Sequence, residues 1–148
     1  MIDLDAILKL WEKDSKIDGM ALDDASLDAI KAHSKYLEIL SVTKLQLKRR
    51  EHEQKKLLLE KWLYYSGKMD KAEMDKRGWA YDPFNGAHIM KADYVRFYEA
   101  DPDLQKSEEG ITYLKTTIET LEEIIGTLRW RHQSIKNMIE HRKFVSGG

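Results

Sequence analysis

The sequence predicts an all-α chain, a long helical hairpin with a short N-terminal helix and an irregular connecting segment. Three observations lead there. Residues 23–66 contain neither Pro nor Gly. Isoleucine and leucine then recur at heptad spacing from Ile111 to Ile139. Charged residues make up 34% of the 148-residue chain, above the roughly 25% of ordinary globular domains, which suits long solvated helices.

In the first element Leu4, Ile7, Leu8 and Trp11 fall at helical spacing, so residues 3–13 read as a short amphipathic helix that the stretch Asp14 to Gly19 ends. The second helix starts near Asp23 or Asp24, either of which suits an N-terminal cap, and runs from about 24 to 66 with Gly67 as its C-terminal stop. Its first apolar stripe is Leu27, Ile30, Leu37 and Leu40; its last is Leu57, Leu58, Trp62, Leu63 and Tyr65. Between them, Lys48 to Lys56 hold no apolar side chain at all. A helix polar all round is a solvated strut, a surface for a charged partner, or no stable helix.

Residues 67–100 are expected to be loop-rich, with Gly67, Gly78, Gly86 and Pro83, and with strand character from Tyr94 to Tyr98, where β-favouring residues cluster. A connection of that length inside a compact domain either packs or serves a partner. Asp101 followed by Pro102 is a strong helix start, opening a helix over about 103–144. There Ile111, Ile118, Ile125 and Ile139 alternate with Leu114, Leu121, Leu128 and Ile135, and His132 and Arg142 are the polar members of the seam. Such a seam needs a facing helix, from residues 26–66 of the same chain or from another subunit.

The bulk charge of −1 conceals segmentation. Residues 1–30 carry 3 bases and 8 acids, 31–77 carry 13 and 7, 78–128 carry 4 and 10, and 129–148 carry 5 and 1. Alternating blocks allow a local anion-binding surface on a nearly neutral protein, and they equally allow charge balance within a folded hairpin. With no cysteine there is no disulfide, thiolate metal site or cysteine nucleophile. The acidic N-terminus is unlike a signal peptide, and no apolar run reaches the length of a membrane span. A soluble cytoplasmic protein is therefore expected.

Chemistry is hard to find. There is no phosphate loop, dinucleotide fingerprint or HExxH. His33, His52, His88, His132 and His141 are scattered, Asp101 and Asp103 are explained as a helix start, and Ser34, Ser41 and Ser66 lack an activating motif. No catalytic residue, metal or cofactor is assigned, and no enzyme is expected.

The basic helix offers more. With Lys44 at 0° and 100° per residue, Lys55, Lys48, His52, Lys56 and Arg49 fall between about 20° and 140°. Glu51 and Glu53 flank that sector. A cationic track beside Trp62, Tyr64 and Tyr65 has the makings of a single-stranded nucleic-acid surface, phosphates on the cations and bases stacked on the rings. The bland account competes with it: Arg49 with Glu53 and Glu51 with Lys55 are i,i+4 pairs of an exposed helix, and Trp62 and Tyr65 suit a core. On these residues alone, a coiled-coil adaptor that binds protein and no nucleic acid is the alternative.

Six collinear segments covering nearly the whole chain resemble the UvsY family of recombination mediators of T-even-type phages and their cyanophage relatives. They are LWEKDSKID at Leu10–Asp18, HSKYLEIL at His33–Leu40, EHEQKKLLLEKWLYYSGK at Glu51–Lys68, RGW at Arg77–Trp79, YEADPDL at Tyr98–Leu104 and the C-terminal QSIKNMIEHRKFVSGG. The resemblance implies a non-enzymatic single-stranded DNA-binding protein acting in the cytoplasm of an infected bacterium. It also implies a ring-like homo-oligomer of about six to eight subunits, and as partners a RecA-like phage recombinase and the phage single-strand-binding protein. In the family, basic residues just before the YYSG turn contribute to DNA binding. Lys61 matches one such position, whereas Leu59 replaces a basic residue and Trp62 an aliphatic one. The expected DNA-binding set is therefore Lys44, Lys48, Arg49, Lys55, Lys56 and Lys61, with Trp62, Tyr64 and Tyr65 as base-stacking candidates. The family also implies oligomerisation through the C-terminal helix, hence through the seam Ile111, Leu114, Ile118, Leu121, Ile125, Leu128, Ile135 and Ile139.

Overall fold

A computed structural model describes residues 3–16 and 22–147. Helix α1 spans Leu4–Asp14, α2 Leu22–Tyr65, α3 Lys71–Arg77, α4 Tyr94–Ala100 and α5 Pro102–Val145, with a 3-10 turn at Lys91–Asp93. No strand occurs among the described residues. The side chains of Asp23 and Asp24 lie outside the described residues, as does the end of the expected break before α2.

Local chemistry accounts for the element ends. The Asp3 carboxylate accepts the Asp5 N–H at 2.9 Å to start α1. At the end of α2, Gly67 takes φ of 75° while the Lys68 N–H returns to the Leu63 carbonyl at 2.9 Å, closing the last turn as only a residue at ease in the left-handed region does cheaply. Asp101 Oδ1 accepts the N–H groups of Asp103 and Leu104, at 2.9 and 3.1 Å, with Pro102 in the first turn of α5.

The chain divides into two compact units: Met1–Gln46 with Leu114–Gly148, and Leu47–Tyr113. In the first, Ala29, Tyr36, Leu40 and Thr43 of α2 are buried together with Leu114, Thr117, Ile118, Leu121, Ile124, Ile125, Leu128 and Ile135 of α5. Lys44 of α2 faces Glu122 of α5 at 3.6 Å. The end of α1 is tied down by Arg131, whose guanidinium donates to the Asp14 and Ser15 carbonyls and lies 5.3 Å from the Trp11 ring centre. The Asp14 carboxylate in turn accepts from Lys35 at 2.6 Å and Tyr36 at 3.0 Å.

Two expectations change here. The heptad seam is covered within the chain: Leu114, Ile118, Leu121, Ile125, Leu128 and Ile135 are buried in the first unit and Ile111 in the second, with Ile139 half-buried. Side chains already packed in their own chain are not free to join subunits, so the assignment of this row to oligomerisation is corrected. The apolar face of α2 also differs from the expected one. Leu27, Ile30 and Leu37 are exposed, while Ala29, Tyr36 and Thr43 go inside with Leu40; both rows have helical spacing, and packing chose the one that meets α5.

The second unit replaces the expected loop and strand. The segment Tyr94 to Tyr98 is helical because Tyr94, Phe97 and Tyr98 stand at i, i+3 and i+4 and form one aromatic face. That face meets Phe84 and Tyr65: Phe84 stacks on Tyr94 at 5.6 Å, and Tyr65 lies 6.1 Å from Phe97 and 5.4 Å from Tyr98. Burial of a helical stripe overrides the strand preference of its residues. Tyr64, Tyr65 and Met74 form the centre of this core, with Met69, Trp79 and Phe84 packed on it.

Candidate nucleic-acid interface

The candidate interface lies on the part of α2 that belongs to the second unit, Leu47 to Tyr65. Its buried residues Lys61, Tyr64 and Tyr65, with the half-buried Leu47, Gln54 and Leu57, fall between about 200° and 300° on the wheel that places Lys44 at 0°, while the half-buried Glu51, Leu63 and Glu60 lie at about 340°, 100° and 160°. The basic sector lies on the other side, and the structure leaves Lys48, Arg49, His52, Lys55 and Lys56 all exposed. The i,i+4 pairs that would have made this a self-neutralised strut are not closed. Among the described residues, none of the salt bridges involves Lys48, Arg49, Lys55 or Lys56. Four exposed cations therefore stand without an ion pair among the described residues, which favours an external polyanion. Arg50 points elsewhere: its guanidinium lies beside Gly110 of α5, 3.9 Å from where a Cβ there would stand.

Lys44, also expected in the DNA-binding set, is exposed as well. It belongs to the first unit and faces Glu122.

Lys61 is a correction. Its side chain is 3% exposed, its ammonium lies 3.0 Å from Asp101 and 2.8 Å from Asp103, and it sits 3.8 Å from the ring centre of Trp79. A charge enclosed by two carboxylates and an aromatic face cannot reach a phosphate. Tyr64 and Tyr65 are corrected likewise. Both are buried; Tyr65 donates to Asp101 Oδ2 and Tyr64 to the Ala80 carbonyl, each at 2.6 Å. Burial, followed by the hydrogen bond to Asp101 and its charge, pushes the Tyr65 hydroxyl well above the usual phenol range. Burial works to raise the Asp101 carboxyl, but the Tyr65 and Lys61 hydrogen bonds, the Leu104 N–H and the Lys61 charge outweigh it and hold it below the usual carboxylate value.

Trp62 alone of the three candidate rings stays outside, 43% exposed. Lys68, which sequence reasoning missed, places its ammonium 4.4 Å from the Trp62 ring centre; its place just past Gly67 was the only available signal. No group of side chains able to hold a metal ion occurs among the described residues, and no described helix is long and apolar enough to cross a membrane.

The model of the family described as "Recombination, repair and ssDNA binding protein UvsY" matches residues 10–148. Crystal structures of the recombination mediator protein UvsY of bacteriophage T4 are similar in fold. In one lattice the TM-score is 0.83 at 22% identity, covering 99% of this chain and 100% of that one. In another it is 0.75 at 25% identity, covering 97% and 98%. No curated protein matches the chain.

Proposed function

Because the chain belongs to the family of the recombination, repair and ssDNA binding protein UvsY, we propose that it binds single-stranded DNA through Lys48, Arg49, Lys55 and Lys56 and acts as a recombination mediator. In that role it helps a RecA-like recombinase load onto strands covered by a phage single-strand-binding protein, and it performs no chemistry of its own. The observation that carries the DNA-binding assignment is the exposed row of cations on α2, free of ion pairs among the described residues. Glu51 and Glu53, which could have neutralised them, are close in sequence, yet the cations remain open to solvent.

A single subunit offers only a few phosphate contacts, each weak and screened by salt. A ring-like homo-oligomer multiplies them by raising the effective concentration of the second and later contacts. The family resemblance supports such assembly, and so does α5, where Trp130, Met138, Phe144 and Val145 are exposed apolar side chains.

Salt titration of labelled oligo-dT binding tests the assignment. Each phosphate contact on a single strand contributes about 0.7 to the slope of log K against log salt, so replacing Lys48, Lys55 and Lys56 by Ala lowers the slope by about 2. An unchanged slope removes these residues from the interface. Absence of any oligo-dT binding at low salt favours the protein-binding adaptor instead.

A further inference from the structure

The cationic row does not stop where its charges stop. Lys48, His52, Lys55, Leu59 and Trp62 follow one another at spacings of four, three, four and three residues, and all five are exposed. On the α2 wheel they occupy about 0° to 80°, one continuous stripe rising about 21 Å along the axis. The stripe begins cationic and ends in an exposed leucine and an exposed indole.

Trp62 is the exception among its neighbours. Tyr64, Tyr65, Trp79, Phe84 and Phe97 are gathered into the core of the second unit, whereas Trp62, within a turn of the two tyrosines, is left in water beside Leu59. Lys68 adds a positive charge against its ring at 4.4 Å. An aromatic face set between two cations, Lys55 one way and Lys68 the other, combines what a single strand offers: an unpaired base and the phosphates on either side of it. A duplex offers the phosphates but keeps its base faces stacked.

We propose that Trp62 stacks on an unpaired nucleobase while Lys55 and Lys68 hold the adjoining phosphates, so that this end of α2 selects single-stranded over duplex DNA. The proposal rests on the DNA-binding reading and commits to single-stranded DNA as the occupant of the exposed Leu59–Trp62 surface. Continuity with the cationic stripe argues for it.

The test uses the full chain and two probes of equal length, oligo-dT and an oligomer of abasic deoxyribose phosphates, read by fluorescence anisotropy across a salt series. The wild type binds oligo-dT about tenfold more tightly than the abasic strand, the order expected for one stacked base. Trp62→Ala loses that preference while its affinity for the abasic strand and its salt slope stay as they were. Trp62→Leu, which retains apolar bulk without a π face, behaves as Trp62→Ala does, and Trp62→Phe keeps part of the preference. Persistence of the oligo-dT preference in Trp62→Ala and Trp62→Leu overturns the proposal. So does a fall in assembled mass on either substitution, which would make the surface a contact between copies. Equal, salt-sensitive binding of both probes by the wild type defeats stacking and leaves the phosphate reading standing; binding of neither defeats both.

Discussion

Lys61 sits one position before Trp62, yet the two side chains meet opposite environments. At residue scale the burial of Lys61 has a measurable cost structure. Its ammonium neutralises Asp101, which caps α5 and accepts from Tyr65. Removing the cation leaves a buried carboxylate without its partner, a loss of about 3–5 kcal/mol. Lys61→Met is therefore expected to lower the urea midpoint strongly, while the salt slope of oligo-dT binding by the folded fraction is unchanged. The pH dependence follows from the lowered Asp101 value. The stability it contributes is complete above its unfolded value of about 3.9 and is lost as pH falls through the lower folded value. Lys61→Met raises that folded value, so acid unfolding followed by circular dichroism moves to higher pH.

At the scale of elements, α5 shows what a heptad pattern specifies and what it leaves open. Spacing alone requires a facing helix. The partner turns out to be in the same chain, since Leu121 and Leu128 are fully buried without a second copy. Leu121→Ala is accordingly a core truncation, expected to destabilise the chain by about 2–5 kcal/mol in denaturant unfolding. Oligo-dT binding at temperatures where the variant is folded is retained. A variant that kept its stability but lost assembled mass would return the seam to an intersubunit role. The aromatic helix α4 makes a related point. Its residues favour strands individually, but Tyr94, Phe97 and Tyr98 share a helical face, and Phe84 and Tyr65 cover that face.

For the molecule as a whole, the proposed assembly would be linked to the proposed DNA binding through the exposed end of α5. Trp130 is 77% exposed and Phe144 83% exposed, and large apolar side chains left in water mark a surface that another protein covers. With a second copy as that protein, Trp130→Glu together with Phe144→Glu lowers the mass measured by sedimentation and weakens oligo-dT binding through lost multivalency. The far-ultraviolet helical signal per residue is unchanged. Retention of the wild-type mass would place the subunit contacts elsewhere. The features legible in the sequence were those set by neighbours a few positions away: the long helices, the Asp101–Pro102 start, the Gly67 stop, and the run of cations with no apolar side chain. Each depends on capping, backbone freedom or spacing within a turn or two, so the local sequence by itself determined them. Only the tertiary structure decided which side chains near the end of α2 face inward. Lys61, Tyr64 and Tyr65 are drawn in by Asp101, Asp103, Trp79 and Ala80, which stand far along the chain, and Trp62 is left outside. Helical periodicity orders residues around an axis, but it does not say which direction is occupied by the rest of the protein.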